Sequence, residues 1–418
     1  MRRREFVKKL GLTGGAVVFH GSLSFETIWS VKSILLSLIL AMMAGCSLSG
    51  KNQTHLYGTM NYLEMKWTID PLPVLKRSQG KAYDSRVVGD PCIVWDDEVG
   101  TWRMFYFAGG YTPDGRRRVG TGVALSKSAE EVGPGDWIKQ GPVQIVDETA
   151  FLNPLGWHKW GIVLDPQQPN RAAKIENKYW AVFTVGVKSH KSGESNKHIQ
   201  VAYSDRMGGP WHVRNQAILS PDAEGFDGKH CDTPTAYWFA ERNEVIVFYK
   251  AYPKVRQDSQ PGSPFGSGTV IARWHPAREC AEKIRPIQRP GTGDAWNQGW
   301  MSTPQIFFDS QEKRWYGLIN GSPTPPVDDS HREPAPSLGG WVICKAGQWL
   351  DGDWEPDTQH SPFLFPKDLT GAQIEAGLGV NFWRHHLLVT PGGQTRIYFN
   401  SGKYGTEQMY SLIGRVKH

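Results

Sequence analysis

Acidic side chains recur beside or near prolines at comparable positions along this chain. Asp90, Asp165 and Asp232 each open a phrase that runs into apolar residues, and Ser302 opens a fourth. The prolines of these phrases, Pro91, Pro166, Pro234 and Pro304, are 75, 68 and 70 residues apart. Carboxylates that meet in a fold repel one another unless their pKa values separate or cations lie among them. Such a separation would let one carboxyl act as a base or nucleophile while another holds a proton; alternatively, Asp near Pro simply forms turns.

The elements that would position these aspartates are short strands, which recur in the same order. In the first repeat, the segments 102–107, 120–126 and 137–145 follow the phrase that Asp90 opens, and each alternates polar with apolar or aromatic residues. The chain has 49 aromatic residues (18 Trp, 14 Tyr and 17 Phe), a content that suits strands better than helical bundles. Alternation with period two and breaks at Gly, Asp and Asn predict antiparallel strands. We therefore expect an all-β fold.

Four strands per repeat indicate the blade of a β-propeller, in which radial repetition protects the sheet edges. Four complete repeats begin at Asp90, Asp165, Asp232 and Ser302, and a fifth begins near His385 but lacks its fourth strand. The segment 66–75 resembles 136–145 and could supply that strand. The sequence thus predicts a five-bladed β-propeller with four-stranded antiparallel blades, closed into a ring by the N-terminal strand. A β-sandwich of similar amphipathic strands is the alternative.

The first strand of each blade lines the central channel of a propeller, so the residues that open these strands would converge. Here they are Asp90, Asp165, Asp232, Ser302, and Arg384 with His385. This convergence is the geometric basis of every functional prediction below.

The N-terminus carries the marks of export. Arg3-Arg4 begins a twin-arginine-like segment, and an apolar run ending in Ala44-Gly45-Cys46 is similar to a bacterial lipobox. We predict an export signal over 1–45, lipidation at Cys46, a linker over 46–64 and a catalytic propeller domain over 65–418. The protein would lie in the periplasm or cell envelope, contacting the membrane only through its lipid anchor; an ordinary signal peptide is the alternative.

Composition excludes several classes of protein. The longest apolar run has 12 residues, Ile34 to Gly45, whereas a membrane-spanning helix needs about 20. The net charge of +6 falls to about +2 without residues 1–45, which hold six basic and two acidic groups, so no nucleic-acid partner is expected. The remaining cysteines show no CxxC spacing and are expected to be buried free thiols: Cys92, Cys231, Cys280 and Cys344.

The opening Asp90-Pro91-Cys92-Ile93, followed by 102–107, resembles the first blade of the five-bladed glycoside hydrolases, family 43 and relatives such as families 32, 62 and 117. Ser204-Asp205 with Gly209-Pro210-Trp211 is similar to a turn common in that superfamily. The resemblance covers roughly residues 65–418 in architecture and rests on short motifs. It implies that Asp90 is the general base of an inverting enzyme, or the nucleophile of a retaining one. It also implies that Asp232 orients the acid and that His385 lies in the channel.

The sequence departs from family 43 at the general acid. The glutamate that the family carries on the fourth blade is missing from Trp300-Met301-Ser302-Thr303-Pro304. Among the candidates for the missing proton donor, Glu224, Asp227, Asp294, Glu375, His230 and His385, we prefer Glu375. No metal site or cofactor is predicted, although the resemblance would allow a structural calcium ion in the channel.

Aromatic and cationic residues surround the predicted channel entrance. Trp faces stack on sugar rings, and Lys and Arg bind carboxylates or sulfates. The predicted substrate-binding residues are Trp157, His158, Asp165, Lys229, His230, Gln298, Trp300 and Arg384. The expected partner is a polysaccharide or oligosaccharide. The cations indicate an anionic glycan or, alternatively, only neutralise the aspartates.

Three functions remain open on the sequence. The first is a glycoside hydrolase, inverting, with Asp90 as base. The second is a uronate-directed polysaccharide lyase or dehydratase on the same scaffold, with Arg384 or Lys229 neutralising the substrate and His385 or His230 abstracting a proton. The third is a non-catalytic glycan-binding lipoprotein.

Overall fold

The structure is a computed structural model that describes residues 62–188, 195–252, 268–288, 296–297, 300–323, 337–345, 347–363, 369–371, 374, 378–379, 381–403 and 405–416. The predicted export signal, Cys46, Gln298 and Glu375 lie outside these residues. Within them, no helix is long and apolar enough to cross a membrane.

The described chain is nearly all strand, with one 3₁₀ turn at Glu148–Ala150. In chain order the strands are β1 (Lys66–Ile69), β2 (Val87–Asp96), β3 (Thr101–Tyr111), β4 (Arg117–Ser126), β5 (Trp137–Pro142), β6 (Trp157–Asp165), β7 (Gln168–Ala172), β8 (Lys174–Ile175), β9 (Lys178–Lys188), β10 (Ser195–Ser204), β11 (His212–Leu219), β12 (His230–Phe239), β13 (Glu244–Tyr252), β14 (Gly268–Trp274), β15 (Glu282–Gln288), β16 (Trp300–Met301), β17 (Gln305–Asp309), β18 (Arg314–Ser322), β19 (Leu338–Cys344), β20 (Trp354–Pro356), β21 (Trp383–Val389), β22 (Thr395–Ser401) and β23 (Gln408–Arg415). The prediction of an all-β chain is confirmed.

These strands form four-stranded antiparallel units. The first unit has the order β2-β3-β4-β5, and the last has the order β21-β22-β23-β1, in which Lys66–Ile69 pairs with the C-terminal strand. A larger sheet combines the units β6-β9-β10-β11 and β12-β13-β14-β15 through short parallel pairings of β12 with β6 and with β10. In the remaining unit β16 and β17 both pair with β18, which is followed by β19 and β20.

Side chains link the first strands of neighbouring units where backbone pairing is absent. Each link joins a side chain on one strand to a backbone amide on the next, at 2.6–3.3 Å. The links are Cys92 to Ile162 (β2–β6), Tyr237 to Ile306 (β12–β17), Gln305 to Leu387 (β17–β21) and His386 to Ile93 (β21–β2). With the β6–β12 pairing, the contacts run in the cyclic order β2, β6, β12, β17, β21 and back to β2. The openings of these strands are thereby held side by side.

The core lies between the faces of adjacent units. Between the first and second units, Phe105 of β3 stacks on Trp160 of β6 at 6.3 Å between ring centroids and meets Trp211 edge-on at 6.1 Å. Aromatic rings bury large apolar areas and favour these offset and edge-on geometries, which explains why so many are found at the unit interfaces. All four described cysteines are free; Cys92, Cys231 and Cys344 are buried as expected, whereas Cys280 is exposed.

Candidate functional site

The first strands share a backbone irregularity that positions the site. In β2, β6, β12 and β21 the pairing register shifts around one residue whose φ is positive: Asp90 (44°), Lys159 (60°), Thr233 (53°) and Arg384 (50°). A β-bulge bends its strand and re-aims the side chains near it, and positive φ is uncommon outside glycine. Four units thus have a strained backbone at the same position of their first strands, and such strain is typical of functional sites. We call the resulting cluster of Asp90, Lys159, Lys197, Asp232, Thr233, Thr303 and Arg384 the hub.

Asp232 is the anchor of the hub, fully buried and fully bonded. Lys197 Nζ donates to its Oδ2 at 2.6 Å, and Lys159 Nζ donates to both carboxylate oxygens at 3.0 and 3.1 Å. The Thr184 hydroxyl and the Thr233 amide add bonds to Oδ1 at 3.0 and 2.8 Å. Burial opposes the charge, but the two lysines outweigh it and hold the pKa of Asp232 well below its usual range. Asp232 is therefore an ionised carboxylate whose two oxygens are both bonded to these lysines.

Asp90 has the opposite environment. It is buried, yet its carboxyl has no hydrogen bond or ion pair with any residue that the structure describes. Burial raises its pKa above the usual value; nearby Lys159 and Arg384 oppose the rise, and the charge of Asp232 adds to it. Its backbone is fixed instead, because the Asp90 amide donates to Asn400 Oδ1 at 3.2 Å.

The glycine before Asp90 is required by this packing. A Cβ on Gly89 would lie 2.6 Å from the side-chain Cγ of Asn400, closer than real Cβ contacts allow. The Asn400 side chain can therefore reach the Asp90 amide only because residue 89 has no side chain.

Arg384 completes the cationic side of the hub. Its guanidinium donates to the Pro234 carbonyl at 2.9 Å and, more weakly, to the Thr303 hydroxyl at 3.4 Å. The Thr303 hydroxyl in turn donates to the Thr233 carbonyl at 2.8 Å. These bonds hold the buried guanidinium close enough to Asp90 to act on its pKa.

A second buried carboxyl, Glu407, lies near Asp90 in the loop between β22 and β23. Its backbone carbonyl accepts from the Val88 amide at 3.1 Å, two residues before Asp90 in β2. Burial raises the pKa of Glu407 to about 7, against the pull of the backbone amides of Glu407, Gly405 and Thr406, and the Asp90 charge adds to the rise. Its Oε2 has no partner among the described residues. Glu407 is thus about half protonated near neutral pH, and it lies close enough to Asp90 for that carboxyl to affect its pKa.

The hub also lowers the pKa of two basic groups. Burial and the neighbouring Lys159 charge keep the pKa of His158 well below its usual value, so this imidazole is neutral. Its ring contacts Phe107 at 5.2 Å between centroids. Burial lowers the pKa of Lys159 despite its contact with Asp232.

Asp90, Asp232 and Arg384 lie together at one site, as predicted, with His158 beside them.

The predicted position of Asp165 at the opening of its strand is wrong. Asp165 ends β6 instead of opening it, and its Oδ1 accepts from the Gln167 amide at 2.9 Å, a turn-capping role. The residue of β6 that occupies the bulge is Lys159. The sequence pattern predicts the wrong end of the strand for Asp165-Pro166, because an Asp in a turn and an Asp in a bulge look alike in sequence.

Trp157 is 1% exposed and stacks on Phe151 at 4.5 Å between ring centroids, so its ring packs mainly in the core. Sequence position alone could not reveal this burial, because a surface tryptophan could equally begin β6.

His385 lies apart from the hub's charged groups. Its ring packs at 6.0 Å from both Phe363 and Phe399, and neither ring nitrogen has a partner among the described residues. Burial alone lowers its pKa to about 3. The bulge explains the outcome, because it is Arg384 that takes the hub position in β21 and the next side chain points elsewhere.

The other predicted binding residues have mixed outcomes. His230 lies at the start of β12, where its Nδ1 accepts from the Lys197 amide at 3.2 Å, so it borders the hub. Lys229 is half-buried just before it, and its amide donates to Tyr252. Trp300 lies in β16, and its side chain is outside what the structure describes, as are Gln298 and Glu375.

Sequence reasoning missed Lys197 and Glu407 altogether. Lys197 comes from the start of β10, which is not the first strand of its unit, and Glu407 comes from a hairpin loop, so neither occupies an opening of a repeat. The only available signal for Glu407 was its position in a loop that a propeller places at the same end as the strand openings. Among the described residues, no cluster of three or more His, Cys, Asp or Glu side chains could hold a metal ion.

Comparison with known proteins gives a structural likeness without a sequence family. No protein-family model matches the chain, and no curated protein does. Three solved structures align with 83–84% of this chain over 93% of their own length. They are a glycoside hydrolase (TM-score 0.60, 11% identity), BT0996 in a complex with RGII (0.59, 12%), and a member of the GH130 family of mannoside phosphorylases, which contains glycoside hydrolases that target β-1,2 mannosidic linkages in Candida mannan (0.55, 13%). At these identities the likeness concerns the fold alone, which this chain shares with the three glycoside hydrolase structures.

Proposed function

We propose that this protein is an exported glycoside hydrolase that cleaves glycosidic bonds in a polysaccharide or oligosaccharide, with Asp90 as the general base. The observation that carries the proposal is the contrast within the hub. Asp232 uses both of its oxygens on lysines and a threonine, while Asp90 is buried beside it with no partner among the described residues. Burying a carboxyl without partners costs free energy, and such a cost is typical of reactive groups. The likeness to glycoside hydrolases of the same fold supports this choice of reaction.

The scaffold in this proposal is a five-bladed propeller. The units β2–β5, β6 with β9–β11, β12–β15, β16–β20 and β21–β23 with β1 would be the blades, and β1 would close the ring. The cyclic contacts of the first strands support the proposal, because each strand touches the next and β21 returns to β2. Closure would hold the hub residues together although they come from distant parts of the chain.

The proton donor in the proposal is Glu407. Glycoside hydrolysis needs one ionised carboxyl and one protonated carboxyl, and environments that push two pKa values apart identify such a pair. Burial raises the pKa of Glu407 to about 7, and the Asp90 charge contributes to this rise. Burial raises the pKa of Asp90 as well, but Lys159 and Arg384 oppose that rise and favour the ionised form. Glu407 would take the place of the glutamate that is missing near Ser302.

In the inverting reaction, Asp90 accepts a proton from a water molecule while the water oxygen bonds to the anomeric carbon. The glycosidic C–O bond breaks, and the leaving oxygen takes the proton of Glu407. Inversion requires the two carboxyls to be about 6.5–9.5 Å apart, whereas retention requires about 5–5.5 Å. Asp232 does not exchange protons in this scheme; it holds Lys159 and Lys197 in place.

The lyase alternative is less well supported. It needs a base and a cation that face the substrate, and its two leading residues are otherwise engaged. The ring of His385 packs between Phe363 and Phe399, and the guanidinium of Arg384 is bonded to the Pro234 carbonyl. Product analysis separates the reactions, since elimination leaves an unsaturated, ultraviolet-absorbing sugar and hydrolysis does not.

The proposal is tested by incubating the protein with a panel of polysaccharides, anionic ones included, and analysing the products. The matched pair of variants is Asp90→Asn in the hub and Asp165→Asn at the far end of β6. We expect cleavage by the wild type and Asp165→Asn and none by Asp90→Asn. Equal cleavage by all three would contradict the role of Asp90; a binding protein without activity would cleave nothing and bind glycan equally well with Asn at position 90.

Export and lipidation remain proposals from the sequence. Mass spectrometry of the mature protein from a bacterial envelope should find Cys46 as the modified N-terminal residue. Cys46→Ser should release the protein from the membrane fraction, and an unmodified Cys46 would exclude the anchor.

A further inference from the structure

A cavity of about 330 Å³ lies at one end of the first unit, and the reaction described above does not use it. Its lining includes Lys81, Tyr83, Tyr111, Arg118, Thr121 and Trp157. Pockets that bind small ligands begin at about 300 Å³ and combine aromatic walls with a few polar groups, and this cavity has both properties.

The cavity opens at the same end of the strands as the hub. Ala108 in its lining pairs with Val88, which is two residues before Asp90 in β2, or about 7 Å along a strand. On the other side, Trp157 begins β6 two residues before Lys159. A glycan chain held at Asp90 could therefore extend into the cavity.

The walls of the cavity are fixed in place. The Tyr83 hydroxyl bonds to that of Tyr106 at 2.6 Å, and the Tyr111 amide donates to the Ala82 carbonyl at 3.2 Å. Both lining tyrosines, Tyr83 and Tyr111, are only half-buried. Aromatic rings held in this way bind the C–H faces of sugars at low entropic cost.

Two buried polar groups of the lining lack partners. The Thr121 hydroxyl and the Trp157 indole N–H belong to residues that are 2% and 1% exposed, and neither has a hydrogen-bond partner among the described residues. Such groups are rare because each costs about 1–3 kcal/mol. Their presence in the lining of one cavity suggests that hydroxyl groups of a ligand or water complete the site.

The charges around the cavity are positive and are not cancelled as they are in the hub. Lys81 has no ion pair among the described residues. Arg118 lies 5.5 Å above the Trp157 ring and bonds to Glu148 at 2.8 Å, but the Glu148 side chain is half exposed and its charge is screened by solvent. In the hub, by contrast, both lysines are bonded to Asp232. The cavity therefore suits an acidic group better than the hub does, because its lysine is not already paired within the described part of the chain.

We propose that this cavity binds an anionic sugar unit, carrying a carboxylate or a sulfate, of the same glycan chain that Asp90 cleaves. The inference rests on the proposed function for the identity of the chain as a glycan. Tyr83 and Tyr111 contact the sugar ring, Lys81 pairs with its acidic group, and Thr121 lies beneath it. The cavity thus sets the preference for acidic glycans, and the hub performs the cleavage.

The test measures binding to full-length Asp90→Asn protein by calorimetry, with oligogalacturonates, carrageenan oligosaccharides and neutral mannan oligosaccharides of equal length as probes. Lys81→Ala is placed in this background because Lys81 is exposed and its loss leaves the core intact. Lys345→Ala is the matched control, since Lys345 is a surface lysine on another unit, where it pairs with Glu355 at 2.9 Å. Tyr111→Ala removes the sugar platform.

We expect Lys81→Ala to weaken one of the two acidic probes about tenfold and the mannan probe hardly at all, since one charged hydrogen bond supplies about that factor. Which acidic probe is affected identifies the group as carboxylate or sulfate. Tyr111→Ala should weaken binding of the same probe, and Lys345→Ala should not. Unchanged affinity of every probe in both cavity variants would overturn the proposal, even if the wild type cleaves glycans. If the cavity variants lose affinity for the acidic probe but the wild type cleaves no glycan, the cavity remains a binding site and the proposed hydrolysis is excluded.

Discussion

Replacing the two hub aspartates by asparagine should change the stability of the fold in opposite directions. Asp232→Asn keeps the shape of the side chain but leaves Lys159 and Lys197 without their carboxylate. Breaking a buried ion pair from one side costs about 3–5 kcal/mol. Because the two lysine side chains retain 19% and 28% exposure, solvent recovers part of this loss, and we expect about 3 kcal/mol.

Asp90→Asn should instead leave the protein at least as stable as the wild type at pH 7. Burial raises the pKa of Asp90, which means that the fold disfavours its ionised form. Asparagine removes the charge, and it tolerates the positive φ of 44° better than most residues. The ionised carboxyl of Asp90 would thus destabilise the fold, whereas that of Asp232 stabilises it.

The dependence on pH follows from the sign of each pKa change. The folded pKa of Asp232 is lowered, so its contribution is present above about pH 3.9 and is lost as the pH falls through the folded value. The folded pKa of Asp90 is raised, so its penalty is absent below about pH 3.9 and grows as the pH rises through the folded value. The difference between the two variants should therefore be larger at pH 7 than at pH 4.

Urea unfolding followed by tryptophan fluorescence measures both effects. Asp353→Asn is the control, because it breaks an exposed ion pair with Arg285 and should cost about 0–1 kcal/mol. These expectations are wrong if the stability of Asp232→Asn is within about 1 kcal/mol of that of the wild type, or if Asp90→Asn is less stable than the control by more than that amount.

Three further predictions concern the surroundings of the hub. Burial raises the pKa of Glu407 to about 7, so the wild type should lose stability as the pH rises from about 4.5 through 7, and unfolding of Glu407→Gln should lack this slope. If turnover depends on the Glu407 proton, the variant should also lose the fall in rate above pH 7, and an unchanged pH–rate profile would exclude Glu407 as the donor. Burial lowers the pKa of the His385 imidazole to about 3, so the fold loses stability as the pH drops below 6.5. At pH 5, His385→Phe should therefore have a higher unfolding midpoint than the wild type, and equal midpoints would contradict this burial effect. Gly89→Ala should cost about 1–3 kcal/mol by pushing Asn400 off the Asp90 amide, which thermal unfolding can detect, and unaltered stability would show that the loop adapts.

The strands were predictable because their signals are local. Alternation with period two fixes which side chains face a neighbouring sheet, and the similarity of 66–75 to 136–145 anticipated the pairing of β1 with β23. Asp90 and Asp232 were predictable because each lies at a repeat opening. The role of each aspartate was not, because it depends on which lysines reach it from other strands. Lys197, for example, comes from β10 and has no sequence neighbour in the hub.

The errors arose where one residue decides an orientation. A single bulge residue in β21 brings Arg384 to the hub and leaves His385 between two phenylalanines. The same irregularity in β6 makes Lys159, and not Asp165, the counterpart of Asp90. Bulges have no distinct sequence signal when the positive-φ residue is not glycine, and here it is Asp, Lys, Thr or Arg.

The central claim is that the carboxylate of Asp90 activates the water that cleaves a glycosidic bond. Proton NMR of the anomeric signals, recorded from the first turnovers on a glycan that the wild type degrades, tests this claim most directly. The wild type should give a first product of inverted anomeric configuration, and Asp90→Asn should give no product although it remains folded. Product formation at the wild-type rate by Asp90→Asn would contradict it.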